Sequence, residues 1–138
     1  MTKKKAPTKN ETPKRTLISG GSEGEKKFSF SRALVQGDWC FVAGTVGYDY
    51  QKGELPEGAA QQASNTFANI QSALKAAGFE LGHTVRVQYT VSDRKYIDEV
   101  VPVLKQCFGE IRPAATMIIA GMVDPKMKIE IEVTAFRG

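Results

Sequence analysis

The sequence predicts an α+β fold in the order β-β-α-β-α-β-β. Three observations carry this. Two stretches of strict alternation, Phe28 to Val35 and Val85 to Val91, read as strands. Ala60, Ala63, Phe67, Ile70, Leu74 and Ala77 recur at steps of three and four and make one apolar helical stripe. Trp39 to Ala43 and Met117 to Ile119 are apolar on both faces, as strands covered from two sides are.

The elements follow in order. In the first strand Phe28, Phe30, Arg32 and Leu34 share one face. Gly37-Asp38 is a hairpin turn signal, and Trp39 to Thr45 is the second strand. Tyr48 to Gly58 is a loop punctuated by Gly53, Pro56 and Gly58. A helix spans Ala59 to Ala77, with Gly78 as its stop. After the strand at Val85 to Val91, Asp93 caps a second helix that ends near Phe108 and Gly109. Pro102 either kinks this helix or marks where its regular part starts. Thr116 to Ala120 and Lys128 to Phe136 are the last strands, joined through Asp124-Pro125. Two helices cover only one face of such a sheet. The other apolar face therefore calls for self-association.

The chain has 138 residues, enough for one domain with a core. Residues 1–15 hold six of the 19 basic side chains and one of the 15 acidic ones, a net of +5. The remainder holds thirteen basic and fourteen acidic, a net of −1. The basic character belongs to the N-terminal segment. Residues 1–27 read as a basic, largely disordered tail, with a short strand conceivable at Thr16 to Ser19, and 28–138 as one domain. A basic arm attracts nucleic acid. This one carries no aromatic residue to stack on bases, so a solvated leader is the preferred reading and a nucleic-acid partner is not expected. No segment has the length and apolarity of a transmembrane helix, and no hydrophobic run follows the charged N-terminus, so a membrane is not expected either. Cys40 and Cys107 lie in apolar runs and read as buried free thiols, the preferred alternative to a disulfide. They point to a reducing, cytoplasmic setting. Two separated Cys and the single His83, expected exposed at a turn, make no metal site, and no cofactor motif is present.

Arg112-Pro113-Ala114-Ala115-Thr116-Met117-Ile118-Ile119, then Ile129-Glu130-Ile131-Glu132-Val133-Thr134-Ala135, resembles the closing strands of the RidA/YjgF family, the reactive intermediate deaminases. Phe30-Ser31-Arg32-Ala33 is similar to the family's Tyr-Ser-Gln-Ala. Phe41-Val42-Ala43-Gly44-Thr45 is similar to its apolar strand ending in Ser-Gly-Gln or Ser-Gly-Thr. Asn69-Ile70, Ala76-Ala77-Gly78 and Val91-Ser92-Asp93 also match. The resemblance spans about Phe28 to Phe136. It implies a chorismate-mutase-like YjgF fold: a mixed sheet with two helices on one face. It also implies a homotrimer with a barrel-like core and small-molecule sites in clefts between subunits.

Deaminases of the family carry an Arg directly after Pro-Ala, which clamps the substrate carboxylate bidentately. This chain has Ala115 there, and the spacing from Pro113 to Glu132 matches the family's without a gap. Glu132 matches the acidic position that positions water for attack on an imine. The alternative is an exposed strand carboxylate, or one paired across the trimer. Met117 stands where Cys is common, and Phe30 where a Tyr supplies a hydroxyl. The implied cleft combines Phe30, Arg32, Gly44 and Thr45 with Ala115, Met117, Ile119 and Glu132. It is more apolar than a typical family site and lacks its anchor, and these residues can equally be interface packing. Arg32, beside Phe30, is favoured over Arg112 as a replacement cation; surface ion pairing is the commoner fate of either. The expected function is a diverged imine or enamine deaminase or related hydrolase. The alternative is a trimer that binds a small carboxylate or imine without turnover. Some family members are labelled endoribonucleases, but a catalytic His pair and an aromatic RNA platform are missing here.

Overall fold

The computed structural model describes residues 14–138. Six strands form one sheet: β1 (Arg15–Ile18), β2 (Ala33–Gln36), β3 (Trp39–Val46), β4 (Thr84–Val91), β5 (Ala114–Ile119) and β6 (Ile129–Phe136). Their order is β1-β2-β3-β6-β4-β5. β4 and β5 run parallel and every other neighbouring pair is antiparallel. The helices are α1 (Glu23–Phe28), α2 (Ala59–Ala76) and α3 (Ile97–Phe108).

The mixed α+β sheet agrees with the sequence reading. Its start does not. Residues 1–27 are expected as a largely disordered tail with a short strand conceivable at Thr16 to Ser19; a strand does form there, β1 at Arg15–Ile18, but α1 at Glu23–Phe28 is not anticipated. Residues 1–13 lie outside the described residues. The first long strand was expected from Phe28 but begins at Ala33. The reason is a local capping box. Ser22 accepts from the Glu25 N–H while the Glu25 carboxylate accepts from the Ser22 N–H, and this nucleates α1. Phe28 closes the helix, and Ser29 leaves it in the left-handed region at φ 60°. The alternation of residues 28–32 is therefore not that of a strand.

The core lies between the sheet and α2 and α3. Ile129, Ile131, Val133 and Ala135 point there from β6, and Cys40 and Val42 from β3. Phe67, Ile70 and Leu74 meet them from α2, and Phe108 of α3 lies edge-on to Phe67 at 5.2 Å. Asp93 caps a single 3-10 turn by accepting from the Lys95 N–H, and α3 follows directly. Pro102 sits in its second turn, six residues into a helix that begins at Ile97. Gln62 is fully buried. Its amide donates to the Pro56 and Lys126 carbonyls and accepts from the Lys128 N–H, joining two loops to α2. Gly47 makes this packing possible, because a Cβ there would lie 2.2 Å from the Gln62 carbonyl oxygen.

The opposite face carries Trp39, Phe41 and Phe136, which are 42%, 47% and 38% exposed. Trp39 packs against both Phe residues, tilted at 4.5 Å from Phe136 and stacked at 6.4 Å from Phe41. β5 is an edge strand whose six residues are all exposed. Cys40 is buried and Cys107 partly so, both as free thiols. His83 is less exposed than expected: its ring lies edge-on to Phe79, and its Nδ1 accepts from the Glu80 N–H. Among the described residues, no helix is long and apolar enough to cross a membrane.

Candidate functional site

The site is built around the turn that sequence periodicity misread. Glu25 is only 7% exposed. Its carboxylate accepts from the Gly20 N–H at 2.8 Å, the Ser22 N–H at 3.0 Å, the Ser22 hydroxyl at 2.7 Å and the Arg32 N–H at 3.2 Å. Burial pushes this carboxyl up. The bonds from Ser22 and Gly20 and the Arg32 charge outweigh it and hold it below the usual carboxylate range. Glu25 thus ties β1, α1 and the approach to β2 into one unit.

Arg32 leaves that unit pointing inward. Its Nη1 donates to the Gly44 carbonyl at 3.0 Å and to Thr45 Oγ1 at 2.7 Å. The Thr45 hydroxyl donates to the Ala43 carbonyl. The pairing of β3 with β6 shifts register between Val42 and Thr45. A bulge of this kind leaves main-chain groups unpaired in the sheet. The guanidinium lies over the Phe30 ring at 5.2 Å, and its Nε is buried with no partner. Phe30 and Arg32 are therefore together, as expected, but through a turn and not through one strand face.

Sequence reasoning missed Glu130. It lies on the same face of β6 as Glu132, away from the helices. A Cβ on Gly44 would fall 2.6 Å from the Glu130 Oε1, so the absent side chain of Gly44 leaves room for this carboxylate. Burial pushes the Glu130 carboxyl up, the neighbouring Glu132 adds to this, and Arg32 opposes it. Such a perturbed acid beside a cation is a common mark of a functional site. In the sequence the two carboxylates look equivalent. The signal that separates them is Gly44, which packs on Glu130. Glu132 lines a separate open groove of about 680 Å³ with Phe30, Phe41 and Ala43.

Ala115, Met117 and Ile119 do share one strand face, opposite Val87, Tyr89 and Val91 of β4. That is the helix side of the sheet. β4 and β6 separate β5 from β3. Within one chain these three residues do not meet Phe30, Gly44, Glu130 or Glu132. Ala115 lines a hollow of about 260 Å³ with Tyr89, Phe108, Lys105 and Arg112. Arg112 is exposed and in the left-handed region at φ 52°. No cluster of metal-ligating side chains occurs among the described residues.

The family described as Endoribonuclease L-PSP matches residues 24–137. The crystal structure of a YjgF/YER057c/UK114 family member from Mycobacterium tuberculosis is similar with a TM-score of 0.82 and 34% identity, covering 90% of this chain and 100% of that one. A 2-iminobutanoate/2-iminopropanoate deaminase from Bos taurus is 29% identical over 125 residues, 90% of this chain and 91% of that protein. A RutC family protein from Pyrococcus horikoshii is 28% identical over 109 residues, 78% of this chain and 86% of that protein. The six-stranded mixed sheet, the two helices on one face and these matches agree: the chain belongs to the RidA/YjgF, or Endoribonuclease L-PSP, family.

Proposed function

We propose that the chain works as a homotrimer whose inter-subunit clefts hold a small metabolite, and that it is a diverged relative of the imine and enamine deaminases. One subunit contributes Phe30, Arg32, Gly44, Thr45 and the carboxylates of Glu130 and Glu132. The neighbour contributes Ala115, Met117 and Ile119 from its exposed β5. The observation that carries this reading is the division of the site: β6 and β4 lie between β3, which holds Gly44 and Thr45, and the exposed β5, and only a second copy can bring the two groups together. The exposed Trp39, Phe41 and Phe136 supply an apolar surface for that copy.

In the cleft, Glu130 is the better candidate for moving a proton. A half-buried carboxyl held above its usual range retains a proton closer to neutral pH. Glu132 is the better candidate for orienting water, since it faces the open groove. Ala115 cannot clamp a carboxylate. The second reading, a trimer that binds its ligand without turnover, is favoured by this one substitution.

Two measurements test the proposal. Light scattering at micromolar concentration should report three chains, and a stable monomer would end the shared-cleft reading. A coupled assay for ammonia release from the 2-imino acid formed from threonine should run roughly 100-fold or more below a family member with the Arg, the loss expected for one charge-assisted bidentate contact. Comparable rates would show that Ala115 does not disable the site.

A further inference from the structure

We propose that each chain carries a second small-molecule site of its own: the cavity between α2, the end of β1 and the Tyr48–Gln51 loop binds a small amphipathic monocarboxylate anchored on Arg32. The cavity has a volume of about 480 Å³ and is lined entirely from one chain. It adjoins the inter-subunit cleft and shares Arg32 and Thr45 with it, but its α2 wall and the Tyr48–Gln51 loop are its own, so a failure read there would leave the cleft reading untouched.

The argument starts from charge. The Arg32 guanidinium lines this cavity, and its Nη1 is bonded only to neutral acceptors. Its Nε is buried without a partner. Neither of the ion pairs found within 4.0 Å among the described residues involves it. The Glu25 and Glu130 carboxylates feel its charge from a distance, but neither lies within ion-pair reach of it. A guanidinium taken partly out of water is costly unless an anion meets it. The geometry that meets it best is a carboxylate.

The remaining walls define the rest of the ligand. Ala68, Ser72 and Ala76 recur every four residues along α2, and their short side chains leave the hollow open. Asn65 and Asn69 also face it, but their amides donate to the carbonyls of Gly47, Val46 and Tyr48 and so hold the loop in place. Ile18 and the edge-to-face pair Tyr48 and Tyr50 give apolar surface. Asp49 lines the cavity with a carboxylate that also accepts from the Gln51 and Lys52 N–H groups. A ligand with one negative end and an apolar body fits this arrangement. A second negative charge would meet Asp49. Because Arg32 also stacks on Phe30, occupancy here reaches the cleft through a shared side chain.

The test is titration of the full chain with hexanoate, followed by amide NMR shifts of Gly20, Thr45 and Asn69. Saturable shifts at these amides are expected, absent with the neutral analogue hexanamide and weaker with the dicarboxylate adipate. Ser72 is an exposed helix position. Ser72→Trp fills the cavity from the α2 side and leaves the cleft residues unchanged, and should weaken hexanoate at least roughly tenfold with the oligomer unchanged. Three results would each overturn the proposal: no saturable shift in the wild type, equal binding of hexanamide, or full retention of binding in Ser72→Trp.

Discussion

Replacing Glu25 by Ala tests the unit on which the candidate site rests. The change removes an acceptor for three main-chain N–H groups and one hydroxyl, those of Gly20, Ser22 and Arg32. It also abolishes the capping box of α1. A hydrogen bond to a charged group contributes ~1.5–3 kcal/mol, but this segment is only partly buried and water replaces some of what is lost. A total of ~2–4 kcal/mol is expected, including about 1 kcal/mol for the cap. Glu25→Gln keeps one acceptor oxygen and should lose about half as much. The pH dependence gives a second handle. Because the folded carboxyl sits below its usual range, its stabilisation is present above the unfolded value and lost as pH falls through the folded one. The variant should therefore differ most from wild type near neutral pH and converge with it in acid. Urea denaturation followed by circular dichroism, at one protein concentration, reads this directly. A neutral-pH difference below about 0.5 kcal/mol, the size of an ordinary surface change, would refute the reasoning.

Gly47→Ala should destabilise by ~1–3 kcal/mol or more, since its Cβ would strike main-chain atoms of Gln62 in α2. Gly44→Ala should cost less, because it strikes only the Glu130 carboxylate, and paired denaturation curves would show the difference. Glu130→Gln should be more stable than wild type at neutral pH. The raised carboxyl stabilises the fold below its unfolded value, and that stabilisation is lost as pH rises through the folded value, so the gap should close in acid. Parallel melting profiles across pH would contradict this. Ala115→Arg places a guanidinium at an exposed position and should raise ammonia release from 2-imino acids by roughly tenfold or more in the same coupled assay.

Most of the fold was legible in residue order. Alternation in β4, the strand expected at Lys128 to Phe136, the apolar stripe of α2 and the hairpin signal at Gly37-Asp38 all correspond to observed elements. The segment from Ser19 to Arg32 was not. Its structure is governed by one buried carboxylate that bonds to groups up to seven residues away, and a period of two or three cannot express that. The same limit explains the acidic residue. Glu130 and Glu132 alternate identically in sequence, and only the missing Cβ of Gly44 distinguishes them in space. The face shared by Ala115, Met117 and Ile119 was readable from alternation. The side of the sheet that it joins was not, because that depends on the parallel pairing with β4.

β5 has a consequence beyond ligand chemistry. Ala-Ala-Thr-Met-Ile-Ile is an uncharged edge strand, exposed along its whole length and free of proline and glycine. Such a segment is an open template for pairing with any other unpaired strand. If the chain assembles as proposed, a copy released from the trimer would present this edge to solvent and tend to aggregate, not persist as a soluble monomer. Dilution experiments on this protein would then register precipitation where they set out to measure dissociation. Ile118→Lys, on the face away from the helices, is the change that would separate the two.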